Sequence, residues 1–192
     1  DTKGMKRGAM TVYRTHKCGE ARCELVGREM VLSGWVRRRR DHGGLIFVDL
    51  ADYSGFTQVV FTPDYAQAFA EGEKLRAEYV LRVTGVLRHR PEGTVNSEIV
   101  TGEVELAVQS AEILAEAATP PFVIQDNTDA KEDLRLKYRY LDLRRPEMQA
   151  IMRLRHKVYR STRGYLDAQG FCEVETPVLA KPTPEGARDF LV

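Results

Sequence analysis

Between residues 28 and 116 apolar side chains recur at every second position, and the runs are broken by clusters of glycine, proline, asparagine and aspartate. Alternation of this kind marks strands with one buried face, because successive side chains leave a pleated backbone on opposite sides. It predicts strands over 30–38, 45–52, 56–62, 79–90 and 103–115. Residues 41–44 form the first turn, their paired glycines supplying the positive φ of a tight reversal, and residues 53–55 form the second. Pro63 ends the third strand, and Asp64 is placed to cap a helix over 65–76. A loop with Pro91, Gly93 and Asn96 leads from the fourth strand to the fifth.

Five short strands with a helix between the third and fourth are the order of an OB-fold, a small Greek-key barrel; an SH3-like barrel gives a similar string. After residue 116 the period changes. Pro120 and Pro121 mark a linker, residues 125–133 are polar, and residues 134–143 read as a short helical hinge. Pro146 suits the first turn of a longer helix reaching about residue 169, with Gly170 just past its end. Ile151, Leu154, Val158 and Tyr165 share one face of that helix, flanked by Met152 and Leu166. The residues beyond it are too few to build a core. The expected fold is therefore mainly β with helices: an OB-fold barrel over 13–116, a linker and hinge over 117–145, and an incomplete α+β domain over 146–192. Residues 1–12 are an extension or an expression remnant.

Composition narrows the class without naming a partner. A hydrophobic share of 43% and a charged share of 30% describe a globular chain, and no apolar run approaches the ~20 residues that span a bilayer. Cys18, Cys23 and Cys172 lack the paired spacing of a zinc site even with His16 nearby, and read as free thiols of a reducing compartment. The net charge of +1 does not announce nucleic acid, so distribution matters more than the total. Arg37, Arg38, Arg39 and Arg40 stand together, and Arg88 and Arg90 close a later strand.

Alternation also sorts the faces. Ile46, Val48 and Leu50 point inward, which leaves Phe47 and Asp49 on the outer face, where an aromatic ring has no core to fill. Gln58 falls on the same surface, although Val60 shares its parity. Val104, Leu106 and Val108 point inward, and Glu103 and Glu105 outward. An exposed ring beside arginines, amides and acids is how an OB-fold handles unpaired bases: the ring stacks, the cations hold phosphate, the amide and acid read donors and acceptors. The pattern equally allows Phe47 to pack under a loop or against the second domain, and Glu105 to be a solvated carboxylate.

Four stretches, in order, carry a resemblance. Residues 34–50 (GWVRRRRDHGGLIFVDL) resemble the start of the anticodon-binding domain of class IIb aminoacyl-tRNA synthetases, and residues 135–146 (RLKYRYLDLRRP) look like their hinge. Residues 170–177 (GFCEVETP) resemble class II motif 1, whose helix and strand form the dimer interface in that family. Residues 183–190 (TPEGARDF) are similar to the segment that follows in bacterial-type aspartyl-tRNA synthetases. The resemblance implies that Phe47 stacks on the middle anticodon base, that Gln58 hydrogen-bonds it, and that Arg40 lies near the third base, with Arg90 a further anticodon contact. It makes Glu105 the reader of the first base, a guanine or its modified form, whose N1–H and N2–H donors suit a carboxylate. Glu185 matches a residue contacting the aspartate substrate near its ammonium group. His42, Gly93 and Thr94 occupy places that, in the relaxed enzymes charging both tRNA-Asp and tRNA-Asn, tolerate either pyrimidine at the third base.

For the parent enzyme the resemblance implies aspartylation of tRNA through aspartyl-adenylate, with ATP and Mg²⁺, a homodimer formed through motif 1, and a cytoplasmic location. The arginines of motifs 2 and 3 are expected beyond Val192. These 192 residues are thus expected to hold no catalytic or metal-binding residue, and to bind an anticodon stem-loop without forming adenylate. A free-standing OB-fold that binds tRNA or single strands would explain the barrel but not the hinge or residues 183–190.

Overall fold

Strands form where the alternation lies: β1 (Glu29–His42), β2 (Leu45–Asp52), β3 (Gly55–Phe61), β4 (Val80–His89) and β5 (Val104–Ala115). The computed structural model describes residues 13–178, which separate into two units between Pro120 and Pro121. In the first unit the strands close a barrel in the order β1-β2-β3-β5-β4, with only β3 and β5 parallel. With helix α1 (Ala66–Lys74) between β3 and β4, this is the OB-fold, and closure leaves the sheet no unpaired edge.

The interior is built from the inward positions of every strand. Met30, Leu32 and Val36 of β1 meet Val48 and Leu50 of β2, Val59 and Phe61 of β3, Leu81, Val83 and Leu87 of β4, and Leu106 of β5, all fully buried. Each such side chain contributes about 1.5–3 kcal/mol by leaving water. Helix α1 packs over Phe61 and Ile46. It starts later than expected. Pro63 and Asp64 form a turn closed by the Tyr65 N–H on the Thr62 carbonyl, and Tyr65, not Asp64, holds the cap position without a side-chain bond.

β1 runs further than alternation suggested. Asp41 and His42 remain in the ladder, opposite Ile46 and Leu45, so the reversal is made by Gly43 and Gly44 alone, at φ +59° and +77°. A bulge interrupts the same strand: Val36 faces Leu50, and the next paired residue is Arg38, facing Asp49. Arg37 is the extra residue. A bulge shifts the parity of everything after it. Even positions of β1 point into the core before it, at Met30, Leu32 and Val36; after it, Arg38 and Arg40 point outward with Asp49 and Phe47. Arg39 turns the other way and donates from Nε to the Gly72 carbonyl in the last turn of α1, at 3.1 Å.

In the second unit the expected single hinge helix is two, α2 (Glu132–Lys137) and α3 (Arg139–Asp142), broken at Tyr138 with φ −111° and ψ 47°. Asp142 ties them. Its carboxylate is buried and accepts from Arg145 Nε at 2.7 Å and from Arg139, with Arg135 at 3.8 Å. Burial opposes its charge, but the hydrogen bond from Arg145 and the charges of Arg145, Arg139 and Arg135 hold the carboxyl below its ordinary range. Helix α4 (Pro146–Ala168) follows, with proline in its first turn and Gly170 at φ +84° just beyond it. Ile151, Leu154, Val158 and Tyr165 of α4 are exposed. The strand expected after Gly170 is absent among the described residues: this unit offers no neighbouring strand for residues 171–178 to pair with. No described helix is long and apolar enough to cross a membrane.

Candidate nucleic-acid interface

The register of the barrel lines up one row of polar side chains on its outer face. Arg38 stands opposite Asp49, Asp49 opposite Gln58, and Arg88 opposite Glu105; the parallel pairing of Val59 with Leu106 sets Gln58 beside Glu105. One step along, Arg40 faces Phe47. A cavity of about 790 Å³ opens over this row, with Arg88 outside its wall. Phe47, Arg40, Gln58, Glu105 and Arg90 all line it, so the structure brings together the five side chains singled out for bases.

Phe47 is half-buried and lies outside the barrel core, its ring forming part of the cavity wall. Around it the polar groups form a chain of hydrogen bonds. Arg40 Nη2 reaches Asp49 Oδ1 and Gln58 Oε1, each at 3.3 Å. Gln58 Nε2 donates to Glu105 Oε2 at 2.9 Å, and Arg88 Nε donates to Glu105 Oε1 at 2.9 Å. Glu105 points away from the barrel axis, as alternation predicts, but it is not solvated: it is 1% exposed. Its neighbours Gln58 and Arg88 take the place of water, and Oε2, which accepts from Gln58 alone, keeps a lone pair for a ligand. Arg90, half-buried, donates from Nε to the Val104 carbonyl at 3.1 Å. Burial lowers its pKa, opposed by the nearby charges of Glu105 and Asp49. A guanidinium stays protonated under such a shift.

The loop after β4 supplies the opposite rim. Thr94 N–H closes a turn on the Pro91 carbonyl at 3.0 Å, with Gly93 third in the turn at φ +80°. A residue with positive φ is what a type II turn demands there, so any other side chain at 93 would strain the loop as well as enlarge it. Thr94 and His42 line the cavity; Gly93 is the corner of the turn and is not part of the wall. Glu185 lies outside the described residues.

The lining is ampholytic. Arg38, Arg40 and Arg90 are matched by Asp41, Asp49 and Glu105. The run of four arginines is thus no uniform basic patch. Arg37 sits over the Phe56 ring at 5.5 Å and Arg39 is bound to Gly72 and to Asp41, the latter at 3.0 Å. The sequence put Asp49 on the outer face and Arg88 in a basic pair without assigning either a role, and it gave no sign of Phe56 and Ile99 in the wall. Asp49 carried a signal, since it shares the parity of Phe47; the others depend on loop placement and cross-strand pairing. Among the described residues no group of His, Cys, Asp or Glu side chains is placed to hold a metal ion, and Cys18, Cys23 and Cys172 are free.

Comparison with known proteins agrees with both halves of the chain. Residues 30–114 match the OB-fold nucleic acid binding domain family, and residues 131–192 match the tRNA synthetases of class II (D, K and N). An aspartate–tRNA(Asp/Asn) ligase of Moorella thermoacetica is 55% identical over 185 residues, covering 96% of this chain and 31% of the relative. One from Syntrophomonas wolfei is 56% identical over 180 residues, covering 93% and 31%. The chain therefore spans about a third of the length of these curated relatives. Among solved structures, the asparaginyl-tRNA synthetase of Pyrococcus horikoshii complexed with asparaginyl-adenylate superposes with a TM-score of 0.74 at 27% identity, over 88% of this chain and 37% of that one. By these matches the chain belongs to the class II tRNA synthetases of the aspartyl, lysyl and asparaginyl group, and the barrel is their OB-fold nucleic acid binding domain.

Proposed function

We propose that the barrel reads the anticodon loop of tRNA-Asp, as the recognition part of an aspartate–tRNA ligase. The observation that carries this is the make-up of the cavity: the Phe47 ring set among balanced donors and acceptors, while the other phenylalanine of the wall, Phe56, has Arg37 over its ring. Phosphate alone would call for cations, whereas base edges need both signs of hydrogen-bonding group. Phe47 offers a stacking face for the middle base, Gln58 a donor and an acceptor beside it, and Arg40 a donor toward the third base. Glu105 offers the remaining acceptor of its carboxylate, on Oε2, to the adjacent donors of a guanine in the first position. Arg90 adds a charge-assisted donor at the rim.

His42 and Thr94 line the same cavity, and the relatives are named for tRNA-Asp and tRNA-Asn alike. An imidazole and a short hydroxyl side chain admit either pyrimidine at the third base, so the reading extends to tRNA-Asn. In the whole protein, ATP, Mg²⁺ and L-aspartate would be the remaining reactants, Glu185 would contact the aspartate, and the exposed apolar face of α4 would be covered in a homodimer.

Titration of a fluorescent stem-loop carrying the anticodon GUC against the 192-residue chain tests the proposal. The expected result is preference over an unrelated loop by roughly tenfold or more. Equal affinity for both loops would reduce the barrel to a generic single-strand binder. Aspartylation of purified tRNA-Asn by the full-length protein tests the extension, and a rate no higher than with a non-cognate tRNA would end it.

A further inference from the structure

Gln58 carries a donor and an acceptor on one planar group, and an amide free to turn over would present them to a ligand in either order. In this cavity it is not free. Its Oε1 faces Nη2 of Arg40, a donor-only group, at 3.3 Å, and its Nε2 donates to Oε2 of Glu105, an acceptor-only carboxylate, at 2.9 Å. Turning the amide over would set N–H against guanidinium and oxygen against carboxylate. Gln58 is only 7% exposed, so neither end has free access to water instead. The longer Arg40 contact is shared with Asp49, which leaves Glu105 as the stronger determinant of the orientation.

Glu105 is itself held from behind. Arg88 places both Nε and Nη2 at 2.9 Å from Oε1. It stands directly opposite Glu105 in the β4–β5 ladder, with its side chain 45% exposed against 2% for Glu105. Arg88 is not part of the cavity wall. Resting on the anticodon reading above, we propose that Arg88 is a positioning residue for base discrimination: by fixing Glu105 it locks the donor–acceptor order of Gln58. Uracil and cytosine carry their pairing-edge donor and acceptor in opposite order. A locked amide accepts one of them, and an amide that can turn over accepts both.

A merely structural ion pair would behave differently, because its loss would weaken binding to every loop alike. The experiment titrates the 192-residue chain with the GUC stem-loop and with the same loop carrying cytosine at the middle position. The unmodified chain is expected to separate the two by roughly tenfold or more. Arg88→Met is expected to shrink that ratio to about twofold, while Arg88→Lys, which keeps the charge but not the fork, recovers part of it. Uniform weakening with the ratio intact, or no change at all, overturns the positioning role. If the unmodified chain fails to prefer the GUC loop over an unrelated one, the anticodon reading falls and takes this inference with it. If the preference stands and Arg88→Met keeps its pyrimidine ratio, only the role of Arg88 falls. Amide NMR checks that the variant is folded. Should it not fold, Glu105→Gln, nearly isosteric but no longer acceptor-only, tests the same lock by the same ratio.

Discussion

Replacement of Phe47 separates stacking from folding more cleanly than any other change in the cavity. The ring is half-buried on the outer face and is not part of the barrel core. Truncating a core phenylalanine costs about 3–5 kcal/mol. A ring with one side open forfeits less than half the contacts, so Phe47→Ala is expected to lower stability by about 1–2 kcal/mol. Stacking on a base is worth about 1–3 kcal/mol, which weakens binding roughly 5- to 150-fold when it is lost. Phe47→Leu sharpens the distinction. It keeps apolar volume and should cost the fold less than about 1.5 kcal/mol, yet it has no π face to offer. Urea unfolding and anisotropy titration with the GUC stem-loop measure the two quantities on the same protein. If Phe47→Leu binds as tightly as the unmodified chain, the ring is packing rather than reading, and the central assignment of the cavity is wrong.

Three further outcomes follow from the same side chains. Because three arginines in the cavity wall are matched by three carboxylates, binding should depend weakly on salt. A slope of log K against log salt near −1 to −3 is expected, and one steeper than about −5 would indicate a phosphate-driven mode instead. Asp142 has its carboxyl held below the ordinary range when folded. Its ionised form therefore favours the fold above about pH 4 and ceases to as pH falls through the lower folded value. Circular dichroism and amide NMR should show α2 and α3 loosening in acid, Asp142→Asn should reproduce this at neutral pH, and unchanged helix signals in that variant would contradict it. Burial pushes the Cys18 thiol up to about 12, leaving on the order of one part in ten thousand as thiolate at pH 8. Iodoacetamide followed by mass spectrometry should label exposed Cys172 first and Cys18 only on unfolding; early labelling of Cys18 would mean that the barrel opens.

Much of this was legible because barrel strands are read by a local rule. Alternation in β2 is uninterrupted from Leu45 to Leu50, so the outward direction of Phe47 and Asp49 could be written down from the sequence. The same holds for β5 from Val104 to Val108, and Pro146 and Gly170 announced the ends of α4. What local rules cannot give is cover. Glu105 looks like a solvated strand carboxylate because nothing in its own segment says otherwise. Its burial comes from Gln58 on β3 and Arg88 on β4, far away in the chain. The break at Tyr138 is equally unmarked, since residues 134–143 contain neither glycine nor proline; Arg135, Arg139 and Arg145 gather on Asp142 around it.

The arginine run shows the limit most plainly. Four identical residues, Arg37 to Arg40, contain no glycine, no proline and no change of polarity to mark an irregularity. Carrying the parity of Met30, Leu32 and Val36 forward would bury Arg38 and Arg40 and expose Arg37 and Arg39. The bulge at Arg37 reverses that assignment. The core-facing side of the strand keeps its charge nonetheless: Arg39 stands opposite Val48 and Asp41 opposite Ile46, and Arg39 is satisfied there by the Gly72 carbonyl and by Asp41. Leaving Arg37 out of the ladder lets Val36 keep its core position opposite Leu50 while Arg38 and Arg40 turn to the face of Asp49, Phe47 and Gln58. One unpaired residue thus makes Arg38 and Arg40, rather than Arg37 and Arg39, the β1 cations on the cavity surface that β2 and β3 provide. A register irregularity that the run conceals decides which two arginines stand beside the Phe47 ring.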